Sequence, residues 1–256
     1  MHFIVQGFSQ YCRRNANFAF KHDMMAFKNR ILLVSLLLLF IVESKAQYKP
    51  FVFGLRIAPS IGWIKPDADY YESDGIHPGF SWGFTGEFYF TENYAFVTGF
   101  NLLYLNGGLK YPDARAIGAD TLATVGETQR YYKLQYLEIP LIFKMKTTLS
   151  ERWKVSAKIG LGNGFLLRAR GVDTFTYPGG QAEEEHSISD EMNKVREALI
   201  IGGGAEFTIK GSSLLLLEVN FNNGFTDMLT GTNVVHPDVD QKASSSFVEL
   251  GVGIIF

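Results

Sequence analysis

Between Leu134 and Met145, hydrophobic side chains recur at every second residue. Leu137, Ile139, Leu141, Phe143 and Met145 share one face of an extended chain, while Tyr136, Glu138, Pro140, Ile142 and Lys144 share the other. The apolar face is unbroken and the opposite face carries both signs of charge. That pattern suits a strand with lipid outside and a polar lumen inside. The same period predicts strands over Val52–Trp63, Gly79–Phe90, Tyr94–Leu105, Trp153–Arg170, Ala198–Ile209, Leu214–Phe225 and Ser246–Phe256.

With the Leu134–Met145 segment these make eight strands, each long enough to cross a bilayer when tilted, which takes about 9–11 residues. The connections alternate long and short. Ile64–Pro78, Asn106–Arg130, 171–197 and Asp227–Ser245 are long and polar, whereas Thr91–Asn93, Thr147–Arg152 and Lys210–Ser213 are tight. An all-β fold is therefore expected: an eight-stranded antiparallel transmembrane β-barrel of OmpA/OmpX size, with four long external loops and short periplasmic turns. Alternation alone also describes a soluble lipocalin-like barrel or a sandwich. The aromatic load (22 Phe, 12 Tyr, 3 Trp), the confinement of charge to one phase and the loop alternation favour the membrane. Trp63, Phe90, Tyr94, Tyr104, Trp153 and Phe256 fall near strand ends, where interfacial aromatic belts form.

The phase assigned to the lumen holds Arg56, Glu87, Glu138, Lys144, Lys154, Lys158, Arg168, Glu206, Glu218 and Glu249. Eight strands enclose an interior just wide enough for side chains to fill. Unpaired charges in that space are costly, so opposite signs are expected to interleave into a salt-bridged plug, with inward glycines leaving room for it. Such a barrel is too narrow and too full to act as a porin.

The N-terminal part departs from the alternation. Residues 31–42 form a continuous apolar run preceded by Lys28 and Arg30 and followed by Ser44-Lys45-Ala46. A basic region, an apolar core and small residues before Gln47 make residues 25–46 a secretory signal peptide cleaved near Ala46-Gln47. The run is too short to span a bilayer as a helix, which takes about 20 residues. Residues 1–24 do not suit the front of a signal peptide and are expected to be a mis-called upstream extension, with translation starting at Met24 or Met25. The barrel domain would then be residues 47–256. Removing residues 1–46 takes away six Lys/Arg and two Asp/Glu, so the formal charge moves from −2 to −6, and the only cysteine, Cys12, goes with them. An acidic exported domain without a basic cluster argues against nucleic acid as a partner. The lack of cysteine excludes disulfides, thiolate metal sites and a cysteine nucleophile.

Candidate chemistry is sparse. His77, His186 and His236 all fall in predicted loops, and no serine or acid accompanies them at a recognisable strand end. The glycine clusters Gly160-x-Gly162-x-Gly164 and Gly202-Gly203-Gly204 lack the lysine and the strand-to-helix setting of a phosphate loop. Asp67, Asp69, Glu72, Asp74 and Glu183–Glu185 match no calcium-loop spacing and read as a solvated acidic face. No catalytic residue, cofactor or metal is expected. The long loops are the expected functional surface, with Tyr70, Tyr71, Tyr111, Tyr131, Phe175 and Tyr177 available to stack on a glycan or pack on a partner.

Several segments resemble one family. Ala46-Gln47, Phe53-Gly54-Leu55-Arg56, Tyr136-Leu137-Glu138-Ile139-Pro140-Leu141 with Lys144, and the closing Gly251-Val252-Gly253-Ile254-Ile255-Phe256 are similar to PorT-family outer-membrane β-barrel proteins of Bacteroidetes. The resemblance implies insertion into the cell outer membrane by the barrel-assembly machinery, with Phe256 in the C-terminal assembly signal. It also implies a non-enzymatic role accessory to protein secretion of the type IX kind, or to envelope-complex assembly through secretion-system or envelope proteins. The alternative is an autonomous structural or surface-binding small barrel. The resemblance carries Glu138, Pro140 and Phe256 over as structural positions and supplies no catalytic or ligand residue.

Overall fold

The computed structural model describes residues 49–117, 122–210 and 213–256. The expected extension 1–24 and signal peptide 25–46 lie outside these residues. Ten strands follow in order: β1 (Phe51–Pro66), β2 (Glu72–Ser73), β3 (Ile76–Tyr89), β4 (Tyr94–Ala116), β5 (Ala123–Thr148), β6 (Trp153–Tyr177), β7 (Gly180–Ser187), β8 (Val195–Lys210), β9 (Ser213–Gly224) and β10 (Ala243–Ile255). Eight of them form a ring of antiparallel neighbours, β1–β3–β4–β5–β6–β8–β9–β10, returned to β1 by the β10 pairing. Each ring strand is hydrogen-bonded on both sides, which is what a hydrocarbon environment demands of a sheet. The two short strands lie off the ring, β2 on β4 and β7 on β6.

The ring turns its grease outward. Leu55, at 60% exposed, together with Ile57, Trp82, Phe100, Leu141, Ile159, Val219 and Val252, points away from the interior, while charged residues of the alternate phase are buried. A water-soluble fold would leave this many large apolar side chains in water at a cost of roughly 25 cal/mol per Å². The β3–β4 and β5–β6 turns lie at the same end of the ring as the start of β1, the end of β10 and the paired ends of β8 and β9. Thr91 Oγ1 accepts from the Asn93 and Tyr94 backbone N–H groups at 3.3 and 3.2 Å in one of those turns. At the seam, Phe256 N donates to Phe53 O at 2.8 Å and the two rings lie 5.6 Å apart.

At the opposite end the strands run on past the expected loops. Asn106–Arg130 is not an open polar connection. β4 and β5 stay paired out to Ala116↔Ala123, because Leu109, Tyr111 and Asp113 continue the inward phase and find inward partners. The 171–197 stretch is likewise structured: β6 continues to Tyr177 and turns back as β7, which carries Glu183–Glu185 and His186. Between β7 and β8 stands a single 3-10 turn, Ser189–Glu191, and β8 starts at Val195. His77 and His186 therefore stand on strands, not in loops.

One irregularity changes a facing. Gln135 pairs with Arg168 and Tyr136 with Leu166, so Leu167 is an extra residue in β6. Such a bulge reverses the side-chain phase beyond it. Arg168, expected in the lumen, is consequently exposed on the outside, and Ala169, Gly171 and Asp173 become the inward set.

Candidate functional site

The interior is built in layers from side chains that the strand period turns inward. Nearest the short turns, Lys144 on β5 lies between two carboxylates, 2.7 Å from Glu87 on β3 and 2.5 Å from Glu206 on β8. Tyr89 OH donates to Glu87. In the next layer, Arg56 on β1 reaches Glu218 on β9 at 3.0 Å and also pairs with Glu249 on β10. Lys158 on β6 approaches the other oxygen of Glu218 at 2.6 Å. Ser81 Oγ donates to Glu249 at 2.9 Å, and Asn220 donates to both Glu218 and Glu249, at 3.0 and 2.8 Å. Burying these ions is tolerable only because each has an opposite charge and further hydrogen bonds. Glycine makes the space: a Cβ on Gly251 would stand 2.5 Å from Glu218 Cγ, and one on Gly162 2.8 Å from Glu138 Oε2.

Glu138 belongs to a third layer. It accepts from Asn101 at 3.3 Å and from Asn222 at 3.2 Å, and lies 3.8 Å from Arg196. Arg196, 2% exposed, donates to Ser245 Oγ at 2.8 Å and to Asn222 Oδ1 at 2.7 Å, with its guanidinium over the Phe247 ring. Arg196 falls within the polar connection expected over 171–197, and its shared parity with Ala198 and Ile200 is the sequence signal that places it inside. Of the ten ions expected in the lumen, eight, Arg56, Glu87, Glu138, Lys144, Lys158, Glu206, Glu218 and Glu249, stand in or at the edge of this network, whereas Lys154 makes no ion pair among the described residues and Arg168 faces outward. Phe256 stands apart from it, at the seam. The cavity left among the ions is about 40 Å³. It has room for only a few waters, each needing roughly 10–15 Å³.

Above the ions the interior becomes apolar. Leu103, Leu105, Leu109, Tyr132, Leu134 and Tyr136 line the ring, and Ile188, Met192, Met228 and Leu229 descend onto them from the two last long connections. Those connections are tied to each other by Asn193 N→Met228 O and Thr230 N→Glu191 O, both 3.0 Å, and to β10 by Met228 N→Ala243 O at 2.8 Å. A greasy cap thus closes the mouth over the ion-filled lumen. Three of the aromatics expected to be free in loops, Tyr71, Tyr111 and Phe175, are buried. Tyr70 remains exposed, stacked on His236 with ring centroids 4.0 Å apart.

The extended hairpins carry a second ion cluster. Arg130 forks onto Asp173 at 2.6 and 2.8 Å and reaches Glu191 at 2.5 Å, while Arg115 bridges Asp113 at 2.7 Å and Asp173 at 2.5 Å. Burial alone would raise the pKa of both aspartates. Hydrogen bonds from Thr128 and Arg115 to Asp113, and from Arg130 and Arg115 to Asp173, outweigh it and hold both below the usual carboxylate range. Both stay ionised, and so paired, at neutral pH. Among the described residues no group of three or more His, Cys, Asp or Glu is arranged to hold a metal ion. His77 packs on Tyr131, and His186 lies 4.0 Å from Asp173.

Residues 43–230 match the family described as outer membrane protein beta-barrel domain. The chain belongs to that family. Its place is the outer membrane, and the exposed apolar belt of the barrel is its lipid-facing surface. Among solved structures it is similar to Ail of Yersinia pestis (13% identity, 81% of this chain and 100% of that one, TM-score 0.36). It is also similar to OprG of Pseudomonas aeruginosa (12%, 82% and 97%, 0.40) and to Neisserial surface protein A (11%, 80% and 96%, 0.37). At these identities and scores the likeness carries no statement about activity. A comparison with curated proteins finds no match.

Proposed function

We propose that this chain is a non-conducting, non-enzymatic outer-membrane barrel that acts through its surfaces outside the bilayer. The observation that carries this reading is the filled interior: three layers of paired ions under an apolar cap leave about 40 Å³ of space. The long hairpins are taken as external, and the short turns with both ends of the ring as periplasmic, as in other small exported barrels. Residues 25–46 act as the cleaved signal peptide, and 1–24 as sequence upstream of the true start. Phe256 belongs to the signal read by the assembly machinery, a role supported by its position at the β1–β10 seam.

The PorT-family resemblance makes the first choice an accessory role in type IX-like secretion or in envelope-complex assembly. The second choice is an autonomous structural or surface-binding barrel, favoured by the rigid hairpin cluster around Asp173. Affinity purification separates them. An epitope is inserted at the Pro178–Gly179 turn, and the protein is recovered from native outer membranes in mild detergent after gentle crosslinking. Stoichiometric secretion or envelope proteins are expected under the first reading. A clean monomer transfers the assignment to the second.

A further inference from the structure

The bulge at Leu167 has a chemical result on the outer wall. It turns Arg168 outward beside Gln135 of β5 and Tyr104 of β4, and the next row outward along the same strands is Arg170, Lys133 and Asn106. Lys133 and Arg170 are direct cross-strand partners. Like charges set opposite each other destabilise a sheet unless an anion lies between them. Among the described residues only one carboxylate pairs with them: Glu185 on β7, 3.5 Å from Lys133 and 3.4 Å from Arg170. Arg168 makes no ion pair among the described residues. Three cations against one carboxylate leave a net charge of +2 on an otherwise acidic barrel. The next outward carboxylate on β7, Glu183, pairs with Thr174, two rows farther from the belt than Arg170.

The row beneath this patch is apolar: Leu102, Leu137 and Phe165 are aligned partners, and Phe100 and Ile139 lie below them. The cations therefore stand where the hydrocarbon belt gives way to headgroups. Between them is a recess of about 270 Å³ lined by Tyr104, Lys133, Gln135, Arg168, Arg170 and Glu185. Arginine forks match phosphate oxygens in pairs, and lysine adds a point charge. Tyr104 OH, 3.5 Å from the Gln135 amide, offers neutral hydrogen bonding suited to a sugar.

From this juxtaposition we infer that Lys133, Arg168 and Arg170 form a binding site for the phosphate groups of an outer-leaflet glycolipid whose acyl chains lie on the belt below. The inference rests on the proposed orientation, with the long hairpins external.

The test uses the full barrel in detergent and native mass spectrometry. It compares retention of a bisphosphorylated lipid A with the same glycolipid after phosphatase treatment. The wild type should prefer the phosphorylated form. In the Lys133→Gln/Arg168→Gln/Arg170→Gln variant, retention should fall about tenfold or more, the least expected from losing one charge-assisted contact. Lys65→Gln, which removes an outward cation elsewhere, should leave it unchanged. If the triple variant does not fold, Arg168→Gln alone should still weaken retention, and Arg168→Lys should restore part of it. Equal retention of the two lipids, or no change in the variants, overturns the proposal in favour of cations that merely anchor the barrel at the interface. Full displacement by millimolar inorganic phosphate overturns it in favour of a free-anion site. Labelling a cysteine placed at Gly179 on intact cells checks orientation separately. Inaccessibility there overturns the lipid assignment by removing the external orientation, even where the phosphate preference in detergent persists.

Discussion

Ile139→Arg is expected to prevent most of the protein from accumulating as folded barrel in the outer membrane. Ile139 is 38% exposed on the outer wall, with Leu137 and Leu141 on either side of it in the same belt. A lipid-facing arginine near the bilayer midplane costs about 2–4 kcal/mol, falling towards zero near the interfaces. Whole domains are stable by only about 5–15 kcal/mol, so the loss is severe. Ile139→Leu keeps the apolar volume and should assemble normally. The readouts are the heat-modifiable folded fraction in membrane extracts and the urea midpoint after refolding into vesicles. Wild-type behaviour of Ile139→Arg in both would mean that this face does not meet lipid.

Lys144→Met should be more damaging still. Its ammonium is the cation held between Glu87 and Glu206, and all three side chains are nearly inaccessible. Breaking a buried ion pair from one side costs about 3–5 kcal/mol, because the remaining charge is left uncompensated. Here two carboxylates would be stranded about the site of one lost cation. The energy belongs to the stranded ions more than to the lost contacts. The triple variant Lys144→Met/Glu87→Gln/Glu206→Gln, which removes all three charges, should therefore recover much of the stability. Urea midpoints of the single and triple variants check this. A single variant within about 1 kcal/mol of wild type, the range of an exposed surface pair, would show that these groups are not a dry, paired layer.

The membrane-facing pattern and most of the lumenal ions were legible because a strand repeats every two residues. Once Leu137, Ile139 and Leu141 are set outward, Glu138 and Lys144 have nowhere to point but in. The same logic failed at Arg168, since a one-residue bulge at Leu167 leaves no mark in composition and inverts everything after it. It failed differently at Asn106–Arg130 and 171–187. There glycine, aspartate and threonine look like loop, yet Arg115 pairs with both Asp113 and Asp173, and Arg130 with Asp173, so both aspartates behave as interior. Arg196 was missed because its strand starts three residues before the hydrophobic run that announces it. The apolar cap of Met192, Met228 and Leu229 depends on two distant connections meeting over the ring, which no local period encodes.

A solid interior plug is tested most directly by the conductance of the purified wild-type barrel reconstituted into planar bilayers. The filled lumen and capped mouth predict no sustained current above the leak of the bare membrane. Stable, reproducible open steps from the folded barrel would contradict the plug and return the protein to the class of water-filled channels.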